Sequence, residues 1–181
     1  MRGVGDSVFH SAQSRTEAAL RPEYRPSFLS VLGASISEMT PAAQRMVARR
    51  PAVMVLGLAN PDVALMADPT WGWLPYQWAE DLLDATESVP CVVWVNLKEH
   101  GVNPYYTPRW EQEAHSFNRW LRGAARGGGR LYYPNFHVVD WNAATIGHAS
   151  WFLEDGLHLK PTGQFSYAAK IDRTLNRICP P

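Results

Sequence analysis

The apolar positions of this chain fall into short, unbroken runs rather than into one long stretch. Ala52-Val53-Met54-Val55-Leu56-Gly57-Leu58, Cys91-Val92-Val93-Trp94-Val95-Asn96-Leu97 and Phe136-His137-Val138-Val139-Asp140-Trp141 are rich in β-branched or aromatic residues and bounded by breakers. Such runs read as buried strands. Between and around them the pattern predicts helices over Ser37 to Arg50, Tyr76 to Ser88, Arg109 to Arg126 and Thr162 to Ile178. In the last of these, Phe165, Ala168, Ala169, Ile171 and Leu175 follow a repeat close to 3.6 residues. A fourth strand is expected within Phe28 to Leu32, and a short fifth within Met1 to Gly5, just ahead of Ser7. Strand and helix alternate, which predicts βαβ units, a parallel sheet and an α/β fold class, with residues 1–181 forming one domain.

The segments that follow the strands are long: Asn60 to Pro75, Lys98 to Pro108, and Asn142 to Pro161. In an open parallel sheet all of them emerge at the carboxyl edge, where ligands bind, and long structureless loops in a compact domain are usually functional. The site is expected there. Two short motifs lie on that edge. In Gly5-Asp6-Ser7-Val8 the glycine permits a tight turn, and Ser7 falls at the start of a helix with its hydroxyl at the sheet edge. In Asp155-Gly156-Leu157-His158 a separation of three residues lets one turn bring a carboxylate to the imidazole Nδ1–H, leaving Nε2 to accept a serine proton. A serine hydroxyl is a weak nucleophile without such an oriented base. Taken alone, each motif is more often a helix cap or a solvated turn; both together, on one edge, point to nucleophilic catalysis.

In these blocks and their order the chain resembles the SGNH (GDSL-type) hydrolases over nearly its whole length, particularly their bacterial members. The resemblance implies a three-layer α/β/α sandwich, flavodoxin-like, with a five-stranded parallel sheet. It also implies a catalytic triad of Ser7, Asp155 and His158. It assigns the oxyanion hole to the backbone N–H groups of Ser7 and of Gly33 (in Gly33-Ala34-Ser35-Ile36) and to the side chain of Asn60. It implies ester hydrolysis through an acyl-enzyme, with no metal and no organic cofactor. The family pattern has Gly two residues before the Asn and Asp directly after it, where this chain has Leu58 and Pro61. Two readings of Asn60 therefore stand: an oxyanion donor, or a cap on a turn beside Pro61.

Composition narrows the partners. The chain has 181 residues, 46% of them hydrophobic and 19% charged, with 17 basic residues balancing 17 acidic ones. That balance suggests neither a nucleic-acid nor a membrane-surface partner. The apolar run at Ala52 to Ala59 is far below the roughly 20 residues that span a bilayer. No apolar stretch near Met1 suits a signal peptide, so the chain as it stands is expected to be cytoplasmic, or extracytoplasmic if it is an excised domain. Two cysteines are too few for a disulfide scaffold, and buried free thiols are the plainer expectation for Cys91 and Cys179. Both nevertheless fall on the edge away from the site, where a bridge is possible. Aromatic residues crowd two of the long segments: Trp71, Trp73, Tyr76 and Trp78 in one, Tyr105, Tyr106 and Trp110 in the other. Trp71, Trp73 and Tyr105 are candidate substrate contacts, since aromatic faces suit sugar rings or acyl chains, although packing of the loops is an equal reading for each. The expected partner is a small-molecule or carbohydrate ester, preferably an O-acetylated carbohydrate. Acyl transfer with the same triad and a non-catalytic carbohydrate-binding domain of the same fold are the alternatives. A dinucleotide or P-loop motif is missing, as is a His-Glu-x-x-His zinc motif.

Overall fold

A computed structural model describes residues 1–66, 68, 70–101, 106–127 and 131–179. Five strands form one parallel sheet: β1 (Arg2–Gly5), β2 (Phe28–Ser30), β3 (Val53–Gly57), β4 (Cys91–Val95) and β5 (Phe136–Val139), in the order β2-β1-β3-β4-β5. The helices are α1 (Ser7–Leu20), α2 (Ile36–Val47), α3 (Asn60–Met66), α4 (Leu74–Ala85), α5 (Pro108–Arg126), α6 (Trp141–Thr145) and α7 (Pro161–Ile178), with a 3-10 turn at Ala149–Trp151. The five strands and the four long helices expected from the sequence are all present, with ends moved by a few residues.

The strands read as continuous apolar runs because both faces of the sheet are covered. On one face Val4, Met54, Leu56, Val92, Trp94 and Phe136 pack with residues of α2, α3, α4 and α5. On the other, Val53, Val55, Val93, Val95 and Val139 pack with residues of α1 and α7. This alternation, period two along each strand, makes the three layers. Ser35 caps α2 with a reciprocal pair of hydrogen bonds to Glu38, so the helix begins at Ile36, one residue before the expected Ser37.

Two expectations are corrected. The segment from Asn60 to Pro75 is not structureless: its first seven residues form α3, in which Val63 and Met66 are buried. About two turns are too short to show a clear periodicity, and Pro61 near the start conceals it while suiting a first helical turn. Likewise the segment from Asn142 to Pro161 contains most of α6 and the 3-10 turn. The second correction concerns the thiols. Cys91 opens β4, Cys179 caps α7, their Cα atoms lie 6.0 Å apart, and the two are joined as a disulfide.

The strand order places the topological switch between β1 and β3, whose connections leave in opposite directions and open a crevice at the carboxyl edge. Ser7 begins the helix after β1 and Asn60 the helix after β3, so the two stand on either side of that crevice. Gly5 and Gly57, the last residues of β1 and β3, let α1 come close: a Cβ on either would run into the ring of Phe9. Gly57 thus serves packing, not the loop that carries Asn60. Among the described residues no helix is long and apolar enough to cross a membrane.

Candidate active site

Asp6 builds the start of the site. Its backbone is extended, and its Oδ1 accepts a hydrogen bond from the N–H of Val8 at 2.9 Å, capping α1. Ser7 is therefore the first residue of a helix. Its backbone N–H is one of the donors that no i−4 carbonyl can satisfy, and it lies at the positive end of the helix dipole. The other oxygen of Asp6 accepts both the backbone N–H (3.1 Å) and the side-chain amide (2.9 Å) of Asn60. Asp6 is fully buried. Burial pushes its carboxyl up from the ordinary aspartate range, and the bonds from Asn60 and Val8 work against that rise. Just before Asn60, Ala59 is held at φ 101°, a conformation costly for any residue with a Cβ.

Gly33 stands in the turn after β2 at φ 70°, which glycine adopts without strain. The N–H of Val31 donates to the carbonyl of Gly5 at 3.0 Å, so this turn starts beside the end of β1. Gly33, Ser7 and Asn60 therefore follow three adjacent strands at one edge. A further link was invisible in the sequence. Asp62, buried in α3, accepts the N–H of Ile36 at the start of α2 with both oxygens, at 3.1 and 3.2 Å. Burial, with the nearby Asp6 charge adding to it, pushes Asp62 up to about 7, against the pull of the Ile36 bond.

At the far end of the chain, a narrow hairpin carries the remaining two groups. Phe152 and Leu159 form an antiparallel bridge, the N–H of Leu153 donates to the carbonyl of His158 at 2.8 Å, and Gly156 turns the tip at φ 67°. Asp155 Oδ1 accepts the N–H groups of Leu157 (2.8 Å) and His158 (2.9 Å). Its Oδ2 lies 2.7 Å from His158 Nδ1. Burial alone would raise this carboxyl, but the His158 side-chain bond and the two backbone donors outweigh it and hold it below the usual range. An ionised carboxylate only accepts, so Nδ1 carries the proton and Nε2 is left with its lone pair. That nitrogen is 2.9 Å from Ser7 Oγ, across 151 positions of sequence.

Beyond the triad, Lys98 follows β4. Its Nζ donates to the carbonyl of Gly156 at 3.1 Å and sits 3.9 Å from the ring centre of Tyr106 and 4.7 Å from that of Phe152. Desolvation lowers this lysine to about 8. Of the aromatic residues, Trp71 and Trp73 stand on the turns between α3 and α4 and are 49% and 60% exposed. Tyr106 and Trp110, by contrast, are buried and packed edge to face at 4.6 Å, so they belong to the core. Tyr105 lies outside the described residues. His100 is exposed and 3.4 Å from Glu111, consistent with a loop residue. Among the described residues no group of three His, Cys, Asp or Glu could hold a metal ion.

Several solved structures share this arrangement of strands and helices. TesA matches at 19% identity with a TM-score of 0.71, over 98% of each chain. The chain has the fold of the SGNH (GDSL-type) hydrolases. An acetylxylan esterase from Geobacillus stearothermophilus matches at 12% identity and TM-score 0.70, over 98% of this chain and 93% of that one. The C-terminal catalytic domain of the peptidoglycan O-acetyltransferase OatA from Streptococcus pneumoniae matches at 15% and 0.69, over 98% and 92%. No protein-family profile and no curated protein sequence matches the chain. At such identities the likeness is one of SGNH fold.

Proposed function

We propose that the protein is a serine esterase that works through an acyl-enzyme on Ser7. The observation that carries this reading is the unbroken line from Ser7 Oγ to His158 Nε2 (2.9 Å) and from His158 Nδ1 to Asp155 Oδ2 (2.7 Å). His158 takes the hydroxyl proton as Ser7 attacks the ester carbonyl, and Asp155 stabilises the imidazolium that forms. The negative oxygen of the tetrahedral intermediate is received by the N–H groups of Ser7 and Gly33 and by the free amide N–H of Asn60. His158 then returns its proton to the departing alcohol. Water, activated by the same imidazole, attacks the acyl-serine; the acid leaves and Ser7 regains its proton.

For the substrate we infer an O-acetyl or short acyl ester on a carbohydrate. Trp71 and Trp73, exposed after α3, offer flat apolar faces of the kind that stack on sugar rings, and an acetylxylan esterase and a peptidoglycan O-acetyltransferase share the fold. Acyl transfer to a sugar hydroxyl would use the same triad and the same intermediate, with the acceptor in the place of water. A non-catalytic binding domain has no need of a hydrogen-bonded triad, and the intact line speaks against it. The decisive experiment is labelling with a fluorophosphonate, followed by turnover of p-nitrophenyl acetate. Ser7 should be labelled, and Ser7→Ala should lower kcat on the order of 10⁴-fold or more while the protein stays folded. Unlabelled Ser7, or near wild-type turnover in Ser7→Ala, would remove the proposal.

A further inference from the structure

The Asp155–His158 hairpin is rooted in the core by Phe152 and Leu159, and Leu157 packs one side of its tip against the core. Its two legs bond to each other, through the Phe152–Leu159 bridge and the Lys160 N–H to Trp151 carbonyl bond at 2.8 Å. Its tip is flanked by a cleft of 650 Å³, whose lining includes Glu154, Gly156 and Lys160, so packing on that side does not fix it. A sub-ångström drift of the tip would carry His158 away from Ser7.

Two side chains from elsewhere in the fold meet at that tip. Lys98 Nζ and Tyr106 Oη both donate to the carbonyl of Gly156, at 3.1 and 3.2 Å. Gly156 lies between Asp155 and His158 in sequence, so this one carbonyl fixes the turn that carries both. Lys98 forms no ion pair among the described residues. A long lysine could reach water instead; this one lies half-buried between the faces of Tyr106 and Phe152. Its root is stiff. Leu97 exchanges two hydrogen bonds with the side chain of Asn118 (2.9 and 2.7 Å), and the N–H of Glu99 donates to Asn142 at 2.8 Å. The Glu99 carboxylate is tied in turn to Asn118 (2.8 Å) and His115 (2.9 Å). Gly101 completes the device, since a Cβ there would collide with the Tyr106 ring.

We propose that Lys98 and Tyr106 are positioning residues that clamp the Gly156 carbonyl and hold His158 Nε2 within reach of Ser7. The proposal rests on the serine esterase reading. Lys98→Met keeps the apolar stem between the two rings and removes the charged donor; Tyr106→Phe removes only a hydroxyl. With p-nitrophenyl acetate, kcat should fall about 10²-fold in Lys98→Met, the scale of a small misplacement of reacting groups. In Tyr106→Phe it should fall up to about tenfold, the scale of one neutral hydrogen bond. KM should stay near wild type in both. The downfield proton resonance of His158 Nδ1 should broaden or shift in both variants, which a loss of folded protein alone would not cause. Wild-type kcat in both variants overturns the proposal, as does a kcat that falls only with the folded fraction while the resonance stays put. If Lys98→Met does not fold, Tyr106→Phe decides by the same two readouts. If the wild-type protein neither hydrolyses the ester nor takes the fluorophosphonate, the esterase reading fails separately, and the resonance alone judges the clamp.

Discussion

Asn60 carries two amide hydrogens, and its bond to Asp6 uses one of them. The Asp6 oxygen that holds it also holds the Asn60 backbone N–H, which fixes the plane of the carboxamide. Asp6 is itself fixed by Val8, so the residue before the proposed nucleophile sets the direction of the proposed third donor. The second amide hydrogen is then available for an oxyanion between Ser7 and Asn60. Asn60→Ala should lower kcat about 10²–10³-fold with little change in KM, because the donor acts on charge that appears only in the transition state. Its melting temperature should fall modestly, since Asp6 keeps its other partners. A stability loss with unchanged kcat would reduce Asn60 to a structural tie. Ser7, Asp155 and His158 were legible in the sequence because each motif is local and the chemistry prescribes its residue types. Lys98 and Tyr106 were not, because their bonds to Gly156 span 58 and 50 positions and leave no local pattern.

At the scale of elements, the strands announced themselves through continuous apolar runs, which a sheet covered on both faces requires. The short helix α3 did not, and its main contribution to the site is equally hidden. Asp62 ties α3 to the first N–H of α2, and so holds the turn bearing Gly33 against the helix bearing Asn60. This tie has a pH signature. The folded-state pKa is raised to about 7 from the ordinary value of 3.8, so folding favours the protonated form. The stability associated with Asp62 is fully present below about pH 4 and is lost as pH rises through about 7. Asp62→Asn, which cannot ionise, should lack that component. The stability of the variant relative to wild type should therefore climb between about pH 4 and pH 7 and then level off, by roughly 3–5 kcal/mol if the whole shift is expressed. Chemical denaturation of both proteins across that range measures it, the difference including whatever part of the Asp6 titration depends on the Asp62 charge. A difference that is flat with pH would mean that Asp62 is ionised as readily in the fold as in the unfolded chain.

Across the whole molecule the two edges of the sheet have separate tasks. The carboxyl edge carries Ser7, Asn60, Lys98 and the hairpin of Asp155 and His158, while the opposite edge carries the bridge between Cys91 and Cys179. Composition argued for two free thiols, because pairing depends on how the end of α7 returns to the start of β4, a property of topology rather than of spacing. The hydroxyl of Tyr24 donates to the carbonyl of Cys179 at 2.7 Å, fastening the same corner to the end of α1. The bridge closes a loop with a sequence separation of 88, for which chain entropy sets a stabilisation of at most about 4–5 kcal/mol, and real bridges commonly deliver about 2–4. Such a bond persists in oxidising compartments. Thiol titration of the unfolded, unreduced protein should find no free cysteine, and two after reduction. The Cys91→Ala, Cys179→Ala double variant should melt at a lower temperature, consistent with a loss of about 2–4 kcal/mol. Its kcat well below that temperature should match wild type, because the strands separate the bridge from Ser7 and His158 by the full height of the sheet. Two free thiols in the untreated protein would contradict the bridge. A double variant that melts normally would show that it adds nothing to stability. A kcat that falls in the folded double variant would mean that the two edges are mechanically coupled, and that the amino-terminal corner helps to set the hairpin against Ser7.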